Sequence, residues 1–456
     1  MIGIKGVGMT MLAQYFASKG MKVTGSDTAE KFMTDQVLEK CKIPVIEKFN
    51  KLNIPKDADV IIYSSAYNEI NNEEVRSVIN TNRKVLCYAK ALGDVFNQYY
   101  GIGVIGSHGK TTTSAWLGFV MDSAGLKPNV MVGARVPQFN GSSLINESNY
   151  LVAELDEYQN KFQYASPQAV ILNNIDFDHP DFFPTHESYT QVFIDLVKRI
   201  PKKGLLVANL DDEKVEKIVQ LNFEFKAITY AIKNGKANYI ASEIEQALGR
   251  QYFRVSFDNE DLGIFNIKLT GDHNILNALG VIAMCVELEI DLIDIRTYLA
   301  DFIGTERRMQ TLGEYNKALI IDDYAHHPTE IRVTLAGIKK LYPSKNIICV
   351  FHPHTFTRTK ALLDEFANSF NDADKIVVLD IYGSAREEQG GISSKSIVDK
   401  IIELNNNNDR GNQEVLYIPS FMECEEYLRK IAKNNDLILL MGAGDIFKIG
   451  KNLIRI

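Results

Sequence analysis

No run of apolar residues in this 456-residue chain approaches the roughly 18 needed to cross a bilayer as a helix. The first residues, MIGIKGVGMTMLAQ, lack the basic stretch followed by a long apolar stretch that marks a secretory leader. Cysteine is sparse. Cys41, Cys87, Cys285, Cys349 and Cys424 stand singly, with no CxxC pair. That spacing argues against a structural zinc site and for free thiols in a reducing cytoplasm. Positive charge is in deficit: 50 Lys and Arg against 58 Asp and Glu give a net charge of -8. A nucleic-acid binder needs a basic surface, so neither nucleic acid nor membrane is an expected partner. No fixed-period repeat runs through the chain.

What is present is ordinary for a globular protein, with 45% hydrophobic and 24% charged residues. The length suggests about three domains. Short apolar strands alternate with helical stretches, and that rhythm predicts an α/β fold with parallel sheets flanked by helices. Three blocks are expected: 1–98, 99–303 and 304–456. In the first, strands are predicted at 2–4, 21–24 and 60–64. A helix is predicted at 9–19, with Leu12, Tyr15 and Phe16 on one face, stopping at Gly20. The first strand begins almost at residue 1, so it is expected to be nearly truncated, or the start misassigned. In the second block, strands are predicted at 103–105, 150–153, 169–172 and 205–208, with a hairpin from alternation at 252–257 and 264–269. In the third they are predicted at 318–321, 347–351, 376–379 and 437–440. The asparagine run at 405–408, followed by Asp409, reads as an exposed loop.

The strongest chemical signal is Gly106-Ser107-His108-Gly109-Lys110-Thr111-Thr112-Thr113, after a predicted strand and before a predicted helix at 114–124. Glycines let backbone N–H groups wrap phosphate oxygens, and a helix N-terminus favours the anion. Lys110 would reach the β- and γ-phosphates and the Thr111 hydroxyl would ligate Mg²⁺. The full GxxxxGK[ST] spacing fails, because Val104 stands where the first glycine belongs. Glu154 and Asp156-Glu157 follow the 150–153 strand, where a P-loop protein holds its metal and other proteins carry a solvated loop. His179, in Asn173-Asn174-Ile175-Asp176-Phe177-Asp178-His179, is either a metal or phosphate contact or a structural histidine. Gly3-x-x-Gly6-x-Gly8 either cradles a diphosphate or permits tight packing. Asp27 ends the next predicted strand, where a ribose-binding acid would sit.

Seven of the eight histidines fall in compact polar segments at strand ends or helix starts: His108, His179, His273, His326, His327, His352 and His354. DDYAHHPTE at 322–330 and FHPHTFTRT at 351–359 follow strands expected to be adjacent and parallel, so their loops would form one crevice. Tyr, His and Arg there suit a carboxylate-bearing substrate. Gly304-Thr305-Glu306-Arg307-Arg308 sits at the expected domain junction, as a phosphate-reaching arm or a solvated linker.

In order along nearly the whole chain, GIKGVGM, TGSD, GSHGKTTT, ELDEY, NNIDFDH, GDHNILNAL, GTERRM, DDYAHHPTEI, FHPHTFTRT and MGAGDI resemble the signature segments of the Mur ligases. GSHGKTTT is similar to that family's own form of the phosphate loop, which lacks the first Walker glycine. The resemblance implies a Rossmann-like UDP-binding domain, a central P-loop ATPase-like domain with a small β-extension, and a C-terminal Rossmann-like domain. It implies a cytoplasmic monomer or homodimer that uses ATP and Mg²⁺ (or Mn²⁺) to join L-alanine to the carboxylate of UDP-N-acetylmuramate through an acyl phosphate. By the same resemblance Lys110 stabilises the transferring phosphoryl group, within a loop formed by Gly106, Ser107, His108, Gly109, Thr111 and Thr112. Thr111, Glu154 and His179 hold metal, while Asn174, His273, Asn274, Asn277, Arg308 and Asp323 contact ATP. Tyr324, His326, His354 and Arg358 surround the amino acid and acyl phosphate. Gly6, Val7, Gly8, Asp27, Ser64 and Ser65 hold the UDP part.

There are departures. Lys5 replaces a glycine usual in the first loop. Residues 189–195 offer no lysine where many Mur ligases carry a carbamylated one, so metal binding relies on other groups. ELDEYQNKF and ILNNIDFDHPDFF also resemble the branch that recycles a preformed peptide, although the third-domain motifs favour alanine. An alternative from another class, a P-loop regulator without ligase activity, has no need of the third-domain histidines. A dehydrogenase reading of Gly3–Gly8 leaves Gly106–Thr113 unexplained.

Overall fold

The computed structural model describes residues 1–383, 387, 389–407 and 413–455. The chain divides into two compact units, Met1–Asp176 with Thr190–Thr305, and Phe177–Tyr189 with Glu306–Ile456. Among the described residues no helix is long and apolar enough to cross a membrane.

In the first unit, the N-terminal block is a set of parallel strand stubs. Gly25–Ser26 pairs with Val45–Ile46, Ile61–Tyr63 pairs with Val85–Cys87, and Ile2 alone bridges to both Ser26 and Tyr63. The expected strand at 2–4 is therefore one residue of pairing, because Gly3 turns the chain at φ +75. The strand expected at 21–24 falls instead at Gly25–Ser26: Met21 and Lys22 are exposed, and burial begins at Gly25. Ile4 fills the space that Gly25 leaves open, since a Cβ there would lie 2.5 Å from the Ile4 side chain. The first helix runs Val7–Ser18, two residues earlier than expected, and buries Leu12 and Tyr15.

The same unit carries a ten-stranded sheet. Its centre is parallel, in the order Leu205–Asn209, Ala169–Leu172, Tyr100–Ile105, Tyr150–Glu154 and Asn129–Val136. The β-extension follows Lys226–Ala231 and Tyr239–Ala247 with the antiparallel strands Arg250–Phe257 and Glu260–Ile267. These strands are rich in Val, Ile, Tyr and Phe, as a pleated half-buried surface favours. The helices Lys110–Ser123 and Asp272–Glu287 pack together against the sheet. Trp116 is fully buried, donates to the Leu299 carbonyl at 3.1 Å and stacks on Phe302 at 5.2 Å. Burying one such ring stabilises the unit by about 1.5–3 kcal/mol.

The second unit holds a six-stranded sheet in the order Gln310–Tyr315, Ala318–Asp323, Asp436–Met441, Asn346–Phe351, Lys375–Val378 and Glu414–Tyr417. It is parallel except at its first edge strand. Apolar residues fill both faces: Ile321, Leu335 and Phe366 belong to one cluster, Ile320, Leu428 and Ile449 to the other. Ala318–Asp323 and Asn346–Phe351 are not adjacent, contrary to expectation, because the late strand Asp436–Met441 inserts between them. Long crossovers allow a parallel strand to enter out of sequence order, and periodicity does not reveal it. The asparagine run is not wholly a loop: Asn405–Asn407 end the helix Ser394–Asn407, while Asn408 and Asp409 lie outside the described residues.

Candidate active site

The phosphate loop follows the strand Tyr100–Ile105 and becomes helix at Lys110, four residues earlier than expected. Val104, at the missing Walker glycine, is wholly buried in that strand, so the loop proper begins at Gly106. Gly109 caps the helix at φ +78, a conformation that suits glycine, and a Cβ there would lie 2.5 Å from Asn277 Oδ1. The close approach joins the loop to the helix that carries His273, Asn274 and Asn277. On that helix Asn274 Nδ2 donates to the Thr270 carbonyl at 2.7 Å, and Asn277 Nδ2 to Asn274 Oδ1 at 3.2 Å.

Asn173 and Asn174 hold the loop's backbone. His108 N donates to Asn174 Oδ1 at 2.8 Å, Ser107 N to the Asn174 carbonyl at 3.1 Å, and Asn173 Nδ2 to Thr113 Oγ1 at 3.1 Å. Asp176 lies 3.0 Å from His108 Nε2 and its N–H donates to Ser107 Oγ at 2.8 Å. Asn174 thus shapes the loop directly.

Two charged arrangements define the chemistry here. Lys110 Nζ donates to Glu157 Oε2 at 3.0 Å and the Ser107 carbonyl at 3.1 Å, with Gly106 O a further partner. Burial works against its charge, but Glu157, Asp156 and Glu154 outweigh that and raise its pKa, so Lys110 stays cationic. Thr111 Oγ1 stands 2.9 Å from both oxygens of Glu154, which also accepts from Gly133 N at 2.7 Å. A hydroxyl and a carboxylate converging this way are the oxygen donors a hard divalent cation prefers. Thr112 is buried beside them.

In the N-terminal block, Asp27 is 4% exposed and accepts from Lys5 N at 2.7 Å and Thr28 N at 2.8 Å. The Lys5 ammonium is buried among the carbonyls of Thr28 and Glu30 (3.0 and 2.9 Å), Glu47 (2.9 Å) and Asp35 (3.4 Å). The lysine therefore fixes the 28–35 loop without obstructing the glycine turn. Lys31 first and Lys5 second hold the Glu47 carboxyl down at about 2. Gly6 and Val7 are exposed. Gly8 accommodates Tyr88, whose hydroxyl would lie 2.5 Å from an added Cβ. Ser64 and Ser65 follow the strand Ile61–Tyr63, partly exposed, and Ala66 N donates to Ser64 Oγ at 3.3 Å.

The second unit assembles a different cluster. His326 Nδ1 lies 3.0 Å from the Tyr324 carbonyl, and its ring meets His354 edge-on at 6.1 Å. His354 stacks on Tyr382 at 5.6 Å. Arg358 is 3% exposed and makes a two-pronged ion pair with Asp178, Nε–Oδ1 2.8 Å and Nη2–Oδ2 3.1 Å. Burial lowers the pKa of His326 to about 4, His352 to about 4 and His354 to about 3, so all three are neutral near pH 7. His179 lies in this unit at φ +56, its Nε2 3.7 Å from Asp178 Oδ2, whereas Thr111 and Glu154 belong to the first.

The two junction arginines separate. Arg307 lies between the rings of Tyr324 and Phe447, each 5.0 Å away, and pairs with Asp322 at 3.1 Å. It is a packing residue. Arg308 is more exposed, over Tyr324 at 5.3 Å and 3.6 Å from Glu330. Asp323 accepts from Met309 N and Ala325 N, both at 2.8 Å, and burial lifts its pKa to about 6. The sequence offered Glu157 only as a candidate metal carboxylate, whereas it pairs with Lys110, and it assigned no role to Asn173, Asp178, Glu330 or Tyr382. Glu157 and Asp178 were visible only as carboxylates in the right segments, since their cationic partners are 47 and 180 residues away.

A parallel-centred sheet with a phosphate loop at the end of an inner strand, followed by a second α/β unit, defines a nucleotide-using α/β protein. Three family models match in succession: Mur ligase family, catalytic domain, over residues 1–100; Mur ligase middle domain over 104–285; and Mur ligase, glutamate ligase domain, over 307–444. The chain belongs to the Mur ligase family. It is 39% identical to UDP-N-acetylmuramate–L-alanine ligase of Desulfitobacterium hafniense, across 99% of this chain and 98% of that one. It is 35% identical to the protein of that name from Caldanaerobacter subterraneus, across 100% and 96%. Among solved structures, UDP-N-acetylmuramate-alanine ligase from Thermotoga maritima superposes with a TM-score of 0.82 at 26% identity, covering 99% and 97%. The fold also matches a murein peptide ligase of Psychrobacter arcticus, with a TM-score of 0.74 at 24% identity over 99% and 97%.

Proposed function

We propose that this ligase joins L-alanine to the carboxylate of UDP-N-acetylmuramate, consuming ATP, as a step of peptidoglycan precursor synthesis. The observation that carries the reading is the end-to-end likeness, 39% identical over 99% of the chain, to a ligase of that name. Supporting it, the residues that such chemistry requires are all present: an anion-binding loop with a buried lysine, and a separate polar cluster with neutral histidines. We place the domain limits at 1–98, 99–303 and 304–456.

In this reading the muramoyl carboxylate attacks the γ-phosphorus of ATP, ADP leaves, and an acyl phosphate forms. The amine of L-alanine then attacks the acyl carbon, loses a proton, and phosphate departs. No side chain forms a covalent bond. The protein positions reactants and neutralises developing negative charge. Lys110 leaves Glu157 to meet the transferring phosphoryl oxygens. Thr111 and Glu154 would hold Mg²⁺ or Mn²⁺, with His179 a further metal contact; the metal supplies charge neutralisation at the phosphates. Asn174, His273, Asn274, Asn277, Arg308 and Asp323 complete the nucleotide site. Gly6, Val7, Gly8, Asp27, Ser64 and Ser65 bind the UDP portion. Tyr324, His326, His354 and Arg358 receive the amino acid. Neutral His326 and His354 suit this task, because uncharged rings do not repel the ammonium form of the incoming amine.

The test is phosphate release from ATP and Mg²⁺ with UDP-N-acetylmuramate, with and without L-alanine. Release that needs both, with a product heavier by one alanine residue, is expected. Turnover with a tripeptide and none with alanine would move the assignment to peptide addition. ATP hydrolysis indifferent to the UDP-sugar would overturn the ligase reading.

A further inference from the structure

We propose that Asp178 is a positioning residue of the amino-acid subsite, holding Arg358 so that the guanidinium meets the carboxylate of the incoming amino acid. This rests on the alanine-joining reading above. Residues 177–189 lie more than a hundred positions before the rest of the second unit, yet they pack as part of it. Two ties anchor the segment: the Asp178–Arg358 pair, and His327 Nε2 at 3.2 Å from the Phe177 carbonyl.

The geometry selects a role. Asp178 occupies one edge of the guanidinium, Nε with Nη2, and its Oδ1 also accepts from His179 N at 2.7 Å. Nη1 lies 3.2 Å from the His354 carbonyl and 3.3 Å from His354 Nδ1. The Arg358 and Asp178 side chains are 4% and 10% exposed. A guanidinium gripped along its Nε–Nη2 edge keeps its plane, and an incoming carboxylate meets its Nη1–Nη2 end in place of the His354 contacts, a fork recognised with two bonds. An arginine ordered in advance loses less conformational entropy when substrate arrives. The contrary role, Asp178 competing with substrate for Arg358, makes the opposite prediction for affinity.

The experiment is steady-state phosphate release by full-length wild type, Asp178→Asn and Asp178→Glu, varying L-alanine, ATP and UDP-N-acetylmuramate in turn. For Asp178→Asn we expect the KM for L-alanine to rise at least about tenfold. The kcat at saturating alanine should stay within about threefold, and the other two KM values within about twofold. Asp178→Glu, which restores the charge, should recover part of the alanine affinity. Should Asp178→Asn not fold, Asp178→Glu carries the test through a selective rise of about threefold in alanine KM. An unchanged or lowered alanine KM overturns the proposal. So does a uniform loss across all three substrates with a fall in thermal stability, the mark of a merely structural pair. Wild-type release that ignores alanine would sink the functional reading itself; alanine-dependent wild type with an indifferent Asp178→Asn sinks this inference alone.

Discussion

The two units carry contrasting polar centres. In the first, the loop at Gly106–Thr113 gathers full charges: cationic Lys110 against Glu157, and Glu154 against the Thr111 hydroxyl. In the second, three histidines are buried in neutral form, and the buried charges, Arg358 with Asp178 and Arg307 with Asp322, are tied to each other. The same physical effect, desolvation, acts in both with different outcomes. Near Lys110 three carboxylates outweigh it, and the cation survives. Near His326 and His354 it prevails, and the rings stay neutral. In the proposed function the first centre meets polyphosphate, which fixed charge suits, and the second meets the amine, whose ammonium form uncharged rings do not repel.

Breaking the charged centre should cost most. Lys110→Ala is expected to lower kcat for phosphate release by about 10³-fold, with little effect on the KM for alanine. An equal effect on alanine affinity would mean that the two centres do not act separately. Next in size is Arg307→Ala. It removes the guanidinium from between Tyr324 and Phe447 and strands Asp322, 1% exposed at its side chain. A destabilisation of about 3 kcal/mol is expected by urea denaturation, with unfolding of the first unit unchanged. If the loss is under about 0.5 kcal/mol, Arg307 is not the packing residue described. Glu154→Gln should raise the Mg²⁺ concentration for half-maximal activity by about tenfold while leaving alanine KM unchanged; an unaltered Mg²⁺ requirement would remove Glu154 from the metal site.

The smallest effect sharpens the contrast through pH. Histidine ordinarily titrates near about 6.5, and burial holds these three at about 4, 4 and 3. As pH falls below about 6.5 the unfolded chain takes up protons that the folded chain refuses. Their contribution is therefore full above that pH and is lost as pH falls towards about 4. Thermal melts from pH 8 to 5 should show Tm dropping by about 5 °C or more. His326→Gln with His354→Gln should flatten that slope; a slope unchanged in the double variant would place the acid sensitivity elsewhere.

Much of this was legible in the chain. Of the sixteen described strands of the central and C-terminal sheets, eight fall within two residues of an expected strand, most of them at the sheet centres, where continuous Val, Ile and Leu runs mark strands covered on both faces. Asn129–Val136, Gly141–Leu144, Lys226–Ala231, Tyr239–Ala247, Gln310–Tyr315 and Glu414–Tyr417 were not expected. The phosphate loop was legible because backbone wrapping demands glycine at fixed spacing next to Lys and Thr. In the N-terminal block the strand expected at 60–64 is found at Ile61–Tyr63, but those expected at 2–4 and 21–24 are not, since Gly3 and Gly25 turn or pack where side-chain pattern alone suggested extension. Lys5 looked like an intrusion into a glycine turn. Only the partners at Thr28, Glu30, Asp35 and Glu47 reveal it as a tie for the neighbouring loop.

The sequence by itself determined the α/β class, the places of most inner parallel strands and the residue types available for phosphate and amino-acid chemistry, because these depend on local periodicity and short spacing. The tertiary structure alone decided which charges meet. It inserted Asp436–Met441 between two strands that looked adjacent. It assigned Arg307 to packing and left Arg308 more exposed. It also brought Asp178 to Arg358 across 180 residues. Such pairings follow from chain crossovers and from the cost of burying an unpaired charge, and neither is written in any short stretch of residues.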